Sequence, residues 1–568
     1  MWLVALIALP LLCGIILLIL NWYCWGDLFC ERVAMAVTLI TLAIAIVCAT
    51  RVLPRLSAAD GLPSISPAME FKPTWMLMNL PSSTLKSAPI WQLSLGLDSI
   101  ALAMVLLTLI VTVAVLLIAR TTVLNARGAY AAWLLVAVSA LLMVFTATDL
   151  LTFYIGFEFS LIPLFALIAG WGNNGAFDAA RRFVLYTLLG SIPMVLALLG
   201  ICQLYGVDGN MTLHLPTLAQ RAEEMSAAGL GGTEQSWIFW LLLFGLGIKA
   251  AIIPLHTWLP TTYGAANPTT AAFLAAVVLK MGLFGFMRLM LPLTPIACTE
   301  FGPPVMGWLG AIAIVAGGLI ALAQKDLLLL LAYSSLSHVG FITIGLFALN
   351  REGLGGAALQ MVNHGVTTAA LFLLVACIIA RRGTSLINDK SGGVATQFPR
   401  LAFFTLLFVV SGAGMPGLNN FVGEVLALNA MLYRQLPIVL VAAFGGILGA
   451  WYSFRMVQRV LLGPVFDVNG HALSKQPDAM KLSFVTTDLT RGQLTLFASL
   501  AVLCASIGVA PNFALDVLKP DVERLARVYD PTFQSRASKM ANDIEFETSQ
   551  TALSWALESP FSKPINRE

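Results

Sequence analysis

Apolar runs long enough to cross a bilayer core of about 30 Å recur along almost the whole chain. They lie near 2–21, 33–50, 97–119, 129–147, 149–170, 183–204, 237–256, 266–290, 305–323, 327–349, 354–380, 400–430, 435–463 and 492–511. Such runs commit the chain to helices, because lipid offers no partner to a backbone N–H or C=O and a helix satisfies both internally. Composition agrees: 59% of the 568 residues are hydrophobic and 11% charged, against roughly 25% charged in soluble domains. The expected fold is an all-α polytopic membrane protein with about fourteen transmembrane helices. The run after Met1 has no basic leader and no A-x-A exit, so it reads as a first spanning helix and not a cleaved signal.

The interruptions at 51–92, 206–235 and 464–491 are richer in Pro, Gly and charge, as connecting loops require. From about 515 the chain turns polar, DVERLARVYD through SKPINRE, with room for a short surface helix or two. Four regions are expected: N-terminal helices and loop at 1–128, a core at 129–463 made of two halves (129–290 and 305–463), a loop and last span at 464–514, and a polar tail at 515–568.

Lys/Arg counting orients the chain. Loops on the N-terminal side hold about eight basic residues and those opposite about fifteen. The first set comprises Arg51, Arg55, Lys72, Lys86, Arg221, Arg288, Arg351 and Arg434. The second includes Arg120, Arg127, Arg181, Arg182, Lys325, Arg381, Arg382, Lys390, Arg400, Arg455 and Arg459. The richer side is the cytoplasmic one, which places both termini outside the cytoplasm in an inner (cytoplasmic) membrane.

Several chemistries find no support. The net charge of +3 is too small and too dispersed for a nucleic-acid partner. The eight cysteines form no C-x-x-C pair or four-ligand cluster, so neither zinc nor an iron–sulfur centre is expected in this chain. Cys24 and Cys30 share one short loop, where an oxidising compartment would permit a disulfide. Isolated thiols in apolar surroundings are the simpler expectation. No phosphate loop and no flavin or nicotinamide fingerprint occurs.

The informative residues are ionisable groups inside the apolar runs, each of which costs about 2.5–3.5 kcal/mol at the bilayer centre. They are Glu158 in FYIGFEFSLIP, Lys249 in GLGIKAAIIP, Lys280 in AAVVLKMGLF, His338 in SSLSHVGF, His364 in QMVNHGVTT and Glu424 in NNFVGEVL. A lysine near a helix end snorkels to the interface, and a lone histidine is often a satisfied core group. Neither account covers acids, bases and imidazoles spread over six separate spans. A proton relay does. Desolvation disfavours an ammonium, a nearby carboxylate restores it, and imidazole passes protons near neutrality. Movement of Glu158 relative to Lys249 would thus switch the lysine between holding and releasing a proton. His256 lies seven residues past Lys249, on the same face of an intact helix. Pro254 intervenes and leaves a carbonyl without its donor, so this span is expected to open onto a hydrated break. A second breaker-rich run, SGAGMPGLNNFVGE, lies five spans later. An odd offset inverts it, as in inverted-repeat transporters with discontinuous helices.

The stretches PLHTWLP, NPTTAAFLAAVVLKMG, AYSSLSHVGF and MPGLNNFVGE resemble the antiporter-like membrane subunits of respiratory complex I, and within them the subunit M, or chain 4, branch of NADH-quinone oxidoreductase. The likeness is strong over roughly 130–430. It implies two inverted five-helix repeats, each with a broken helix, and outward termini. It assigns Glu158 and Lys249 to the first half-channel, Lys280 to the link toward the centre, His338 and His364 to the central axis, and Glu424 to the second broken helix. Glutamate at that last position marks the subunit M branch, since sister subunits and the multisubunit cation/proton antiporters usually carry lysine there. The resemblance implies no cofactor in this chain. It puts flavin, iron–sulfur clusters and quinone in partner subunits, with sister antiporter-like subunits and membrane lipid as neighbours.

Two departures stand out. Where the family usually reads WLPDAH this chain has WLPTTY, with Thr261 and Tyr263 in place of an acid and a histidine. Where it reads D-x-K-R, this chain has Asp326, Leu327, Leu328 and Leu329, with Lys325 as a partial substitute. The expected function is proton translocation coupled to quinone reduction in other chains. The alternatives are a subunit of a cation/proton antiporter, or a scaffold subunit with an impaired channel.

Overall fold

The computed structural model describes residues 2–22, 26–56, 64–71, 93–206, 212–387, 392–463 and 487–529. Cys24, Lys72, Lys86, Lys390 and the tail beyond 529 lie outside them. Cys30 is buried and free.

Among the described residues twelve helices are long and apolar enough to cross a membrane, from Trp2–Asn21 to Arg491–Val509. The expected spans at 237–256 and 400–430 are not among them, because each is interrupted. Gly232–Lys249 is followed by Trp258–Ala265, and Pro399–Gly412 by Asn419–Leu432. Counted as crossings, these two restore the expected fourteen. The interruptions fall in the seventh and twelfth crossings, so the two copies run in opposite directions. The same inversion shows in the helix caps. Asp149 begins the fifth crossing by accepting the Thr152 N–H at 2.7 Å, and Asp326 begins the tenth by accepting the Leu328 N–H at 2.8 Å. Five crossings apart, these two caps sit on opposite faces.

The helices at the centre of the bundle are Pro268–Leu293, with its most apolar stretch wholly buried, and Arg351–Arg382, 89% buried over the same length. They carry Lys280 and His364. Peripheral spans show bare apolar faces instead. Ala176–Leu204 exposes Leu185, Leu189, Ile192 and Leu199.

The loops carry more structure than their composition announces. Met69–Phe71 pairs antiparallel with Leu95–Leu97, and Leu215–Ala227 forms a surface helix. The polar region after the last span forms one described helix, Asn512–Arg527. A buried charge cluster fastens it to the membrane part. Asp98 caps Ser99–Thr122 through the Ala101 N–H and pairs with Arg288 at 2.6 Å. Asp521 accepts the Ser99 N–H at 2.6 Å, the Ser99 hydroxyl and the Arg524 guanidinium. Burial, and then the neighbouring Asp98 carboxylate, push the Asp521 carboxyl above its ordinary range. Arg288 is therefore not a loop cation, as the charge count had it, but a buried partner of Asp98.

Candidate functional site

Pro163 withholds the N–H that would reach the Phe159 carbonyl, and the fifth crossing splits there into Leu150–Phe159 and Leu161–Trp171. The split presents two groups. Ser160 donates its hydroxyl to the Phe157 carbonyl at 2.7 Å and accepts from Lys249 Nζ at 3.2 Å. Glu158, half-buried, has its Oε1 without a hydrogen-bond partner. Lys249 is 1% exposed and also faces the Phe157 and Phe183 rings, 4.6 and 5.8 Å from their centroids. Glu158 and Lys249 share this neighbourhood without an ion pair: among the described residues the lysine is held by a hydroxyl and two aromatic faces. The movable pair expected from the sequence thus lies apart here, with no direct contact between carboxylate and lysine among the described residues.

The seventh crossing also breaks earlier than its proline predicts. Lys249 is its last helical residue, and the backbone stays irregular until Trp258, past the cis Ile253–Pro254 bond. Ala251, at φ +56°, closes the helix end: its N–H reaches the Ile248 carbonyl at 3.1 Å and the Ile252 N–H the Gly247 carbonyl at 2.9 Å, while the Trp258 indole N–H adds a second donor to Ile248 at 2.7 Å. No intact helical face joins Lys249 to His256. His256 sits half-buried inside the break with Nδ1 unpartnered. The Thr262 hydroxyl and the buried Tyr263 hydroxyl, in the departing WLPTTY segment, are likewise unpartnered. The missing basic residues are accommodated apolarly. Leu329 packs where Gly264 lacks a side chain, and Lys325 is exposed.

Lys280 follows one stretch of π-helix, Leu274–Val278, and precedes another, Phe286–Met290. Such turns misalign backbone carbonyls and are frequent at functional sites. Lys280 Nζ donates to the Ala275 carbonyl at 2.8 Å and meets His364 Nδ1 at 2.6 Å. The His364 and His338 rings stand 5.1 Å apart between centroids, and His338 Nδ1 lies 3.0 Å from Glu424 Oε1. Gln360 adds a donor to the same carboxylate oxygen at 3.4 Å. Four of the seven expected residues therefore lie in one row, Lys280–His364–His338–Glu424, through the most buried part of the bundle, with no direct hydrogen bond between the two imidazoles and His364 Nε2 unpartnered. The Lys280–His364 contact works with the proton on either side: an ammonium donates to a neutral Nδ1, or an Nδ1–H donates to a neutral amine.

Within the first half, the two lysine-bearing helices approach through backbone. A Cβ on Gly282 would stand 2.4 Å from the Ala250 nitrogen and 2.6 Å from the Leu246 carbonyl oxygen. The helix bearing Lys280 therefore lies directly against the end of the helix bearing Lys249. Gly282→Ala should push them apart at an overpacking cost of about 1–3 kcal/mol, read as a lower thermal midpoint of the purified protein. An unchanged midpoint would contradict the close approach.

The second break is closed by residues that the sequence reading passed over. Asn363 and Asn419 exchange side-chain amide donors for each other's backbone carbonyls at 2.8 and 3.1 Å. Ser411 donates to Asn419 Oδ1 at 2.7 Å, and Asn420 Nδ2 donates to the Ser411 carbonyl at 3.2 Å. These side chains supply partners beside the interrupted helix, where lipid has none. The signal was visible: three asparagines in otherwise apolar spans. Gly414, at φ +72°, brings the chain against Glu424, since a Cβ there would lie 2.7 Å from Oε2.

Residues 147–449, which contain all seven candidates, match the family model described as NADH:quinone oxidoreductase/Mrp antiporter, transmembrane. The NADH-quinone oxidoreductase subunit M of Rickettsia typhi is 33% identical over 435 residues, spanning 76% of this chain and 82% of its own. A chain of the respiratory complex I structure from Thermus thermophilus with bound NADH superposes with a TM-score of 0.75 at 26% identity, over 93% of this chain and 100% of that one. A chain of the Mrp complex from Dietzia sp. DQ12-45-1b shares the fold, with a TM-score of 0.74 at 20% identity over 94% and 99%.

Proposed function

This chain belongs to the NADH:quinone oxidoreductase/Mrp antiporter transmembrane family, and we propose that it is the proton-translocating membrane subunit, of the subunit M kind, of a quinone-reducing respiratory complex. The observation that carries the reading is the Lys280–His364–His338–Glu424 row, which brings a lysine, two imidazoles and a carboxylate together across the bundle centre, with one gap between the imidazoles that a water would bridge. Lys249, with Glu158 and His256 beside the first break, loads this line. The unpartnered Glu158, His256 and Tyr263 atoms support a hydrated break there, since buried polar groups ordinarily find protein or water partners. The translocating core is 129–463, both termini face away from the cytoplasm, and flavin, iron–sulfur clusters and quinone reside in partner subunits. The fold alone suits a cation/proton antiporter subunit equally. The carboxylate of Glu424 on His338 favours the respiratory reading.

Lys280→Met in the purified complex, reconstituted in vesicles, tests this. Quinone reduction and its proton uptake should both be largely lost. NADH oxidation by ferricyanide, which bypasses quinone, should be unchanged. Undiminished proton uptake would overturn the relay.

A further inference from the structure

On the Lys/Arg-rich face a small hollow, with room for about one water, opens between the ends of three crossings, lined among others by Gln324, Leu330, Tyr452 and Arg455. Tyr452 is buried within that lining, with its hydroxyl 2.7 Å from the Ser334 hydroxyl. Ser334 sits on the Leu327–Phe347 helix four residues before His338, so the two share one face about 6 Å apart along the axis, the reach of one bridging water. His338 in turn touches Glu424.

A hydroxyl pair between helices is often no more than mutual satisfaction of two buried groups. Here the pair lies between a hollow open to one face and the histidine–carboxylate contact of the relay, with no other polar group of the described lining leading inward. The cation at the mouth is also tied back. Arg455 donates to the Leu322 carbonyl at the C-terminal end of its helix, where the helix dipole is negative. Gln324 is turned onto the Ile320 carbonyl. The hollow is thus left to water.

We propose that Tyr452 and Ser334 form a second proton inlet, delivering protons from the Lys/Arg-rich face to His338 and Glu424 without passing through Lys249. This rests on the relay proposed above. Tyr452 gives its O–H proton to Ser334 Oγ, Ser334 passes its own proton through water to His338, and Tyr452 is reprotonated from water in the hollow. No net charge stays on either hydroxyl. The arrangement implies that the two halves of the subunit load separately.

The test uses the whole complex in vesicles, with Lys280→Met as the reference. Tyr452→Phe and Ser334→Ala should each assemble, keep NADH–ferricyanide activity and lose most quinone-coupled proton uptake. Ser334→Thr, which retains a hydroxyl, should keep it. A structural role would make Thr, the bulkier residue, at least as damaging as Ala. Wild-type uptake in Tyr452→Phe while Lys280→Met is inactive would overturn the inlet alone. Wild-type uptake in both would overturn the relay beneath it.

Discussion

Lys249→Ala is expected to leave the complex assembled and to slow proton-coupled quinone reduction about tenfold or more, equivalent to a barrier rise of at least about 1.4 kcal/mol. The lysine is the last residue of its half-helix, buried against two phenylalanine rings and donating only to Ser160 among the described residues. A residue with that little anchoring contributes modestly to the fold, so its removal should show in turnover before it shows in stability. Glu158→Ala should behave alike, because a carboxylate within Coulombic reach decides whether a desolvated lysine keeps its proton. Lys249→Arg separates charge from proton carriage: a guanidinium keeps the positive charge but does not deprotonate in proteins. Arginine should therefore fail as alanine does. Full activity in the arginine variant would make Lys249 a fixed charge, and wild-type rates and pumping in both alanine variants would remove the channel reading.

Much of this architecture was readable in the residues, and what was not has physical causes. Hydropathy placed fourteen crossings, and Pro254 and the MPG stretch marked the two that break. The break at Lys249 was misplaced by several residues. A proline names the carbonyl it cannot serve, but where the helix stops depends on which groups close its end, here the Ala251 and Ile252 N–H groups around a left-handed Ala251. The π-helical turns beside Lys280 left no trace, since LAAVV and FMRLM suit an α-helix equally well. The Lys280–His364 contact joins residues 84 apart in sequence, which no local pattern encodes. Asn363, Asn419 and Asn420 were legible in principle, for an amide in an apolar span must be satisfied by something. The Leu329 departure looked like a lost basic site, whereas Gly264 opposite it shows a compensated apolar contact.

Arg288, a loop cation by charge counting but a buried partner of Asp98 in the fold, belongs to stability. Arg288→Met would leave Asp98 buried beside Asp521 with one guanidinium fewer between them. Breaking a buried pair by removing one partner costs about 3–5 kcal/mol, far more than the net worth of the pair, because the remaining charge is uncompensated. The cluster also holds the Asn512–Arg527 helix to the first residues of Ser99–Thr122. The loss should appear as a lower thermal midpoint of the complex and weaker retention of this subunit. Asp98→Asn combined with Arg288→Met should recover part of it, since no lone charge then remains. Mild acidification should help the single variant in the same direction. A carboxyl raised in the folded state, as Asp521 is, binds protons more readily there than when unfolded, so stability rises as pH falls through its titration. A midpoint for Arg288→Met equal to wild type at neutral pH would mean that the cluster is hydrated in the assembled complex and holds nothing.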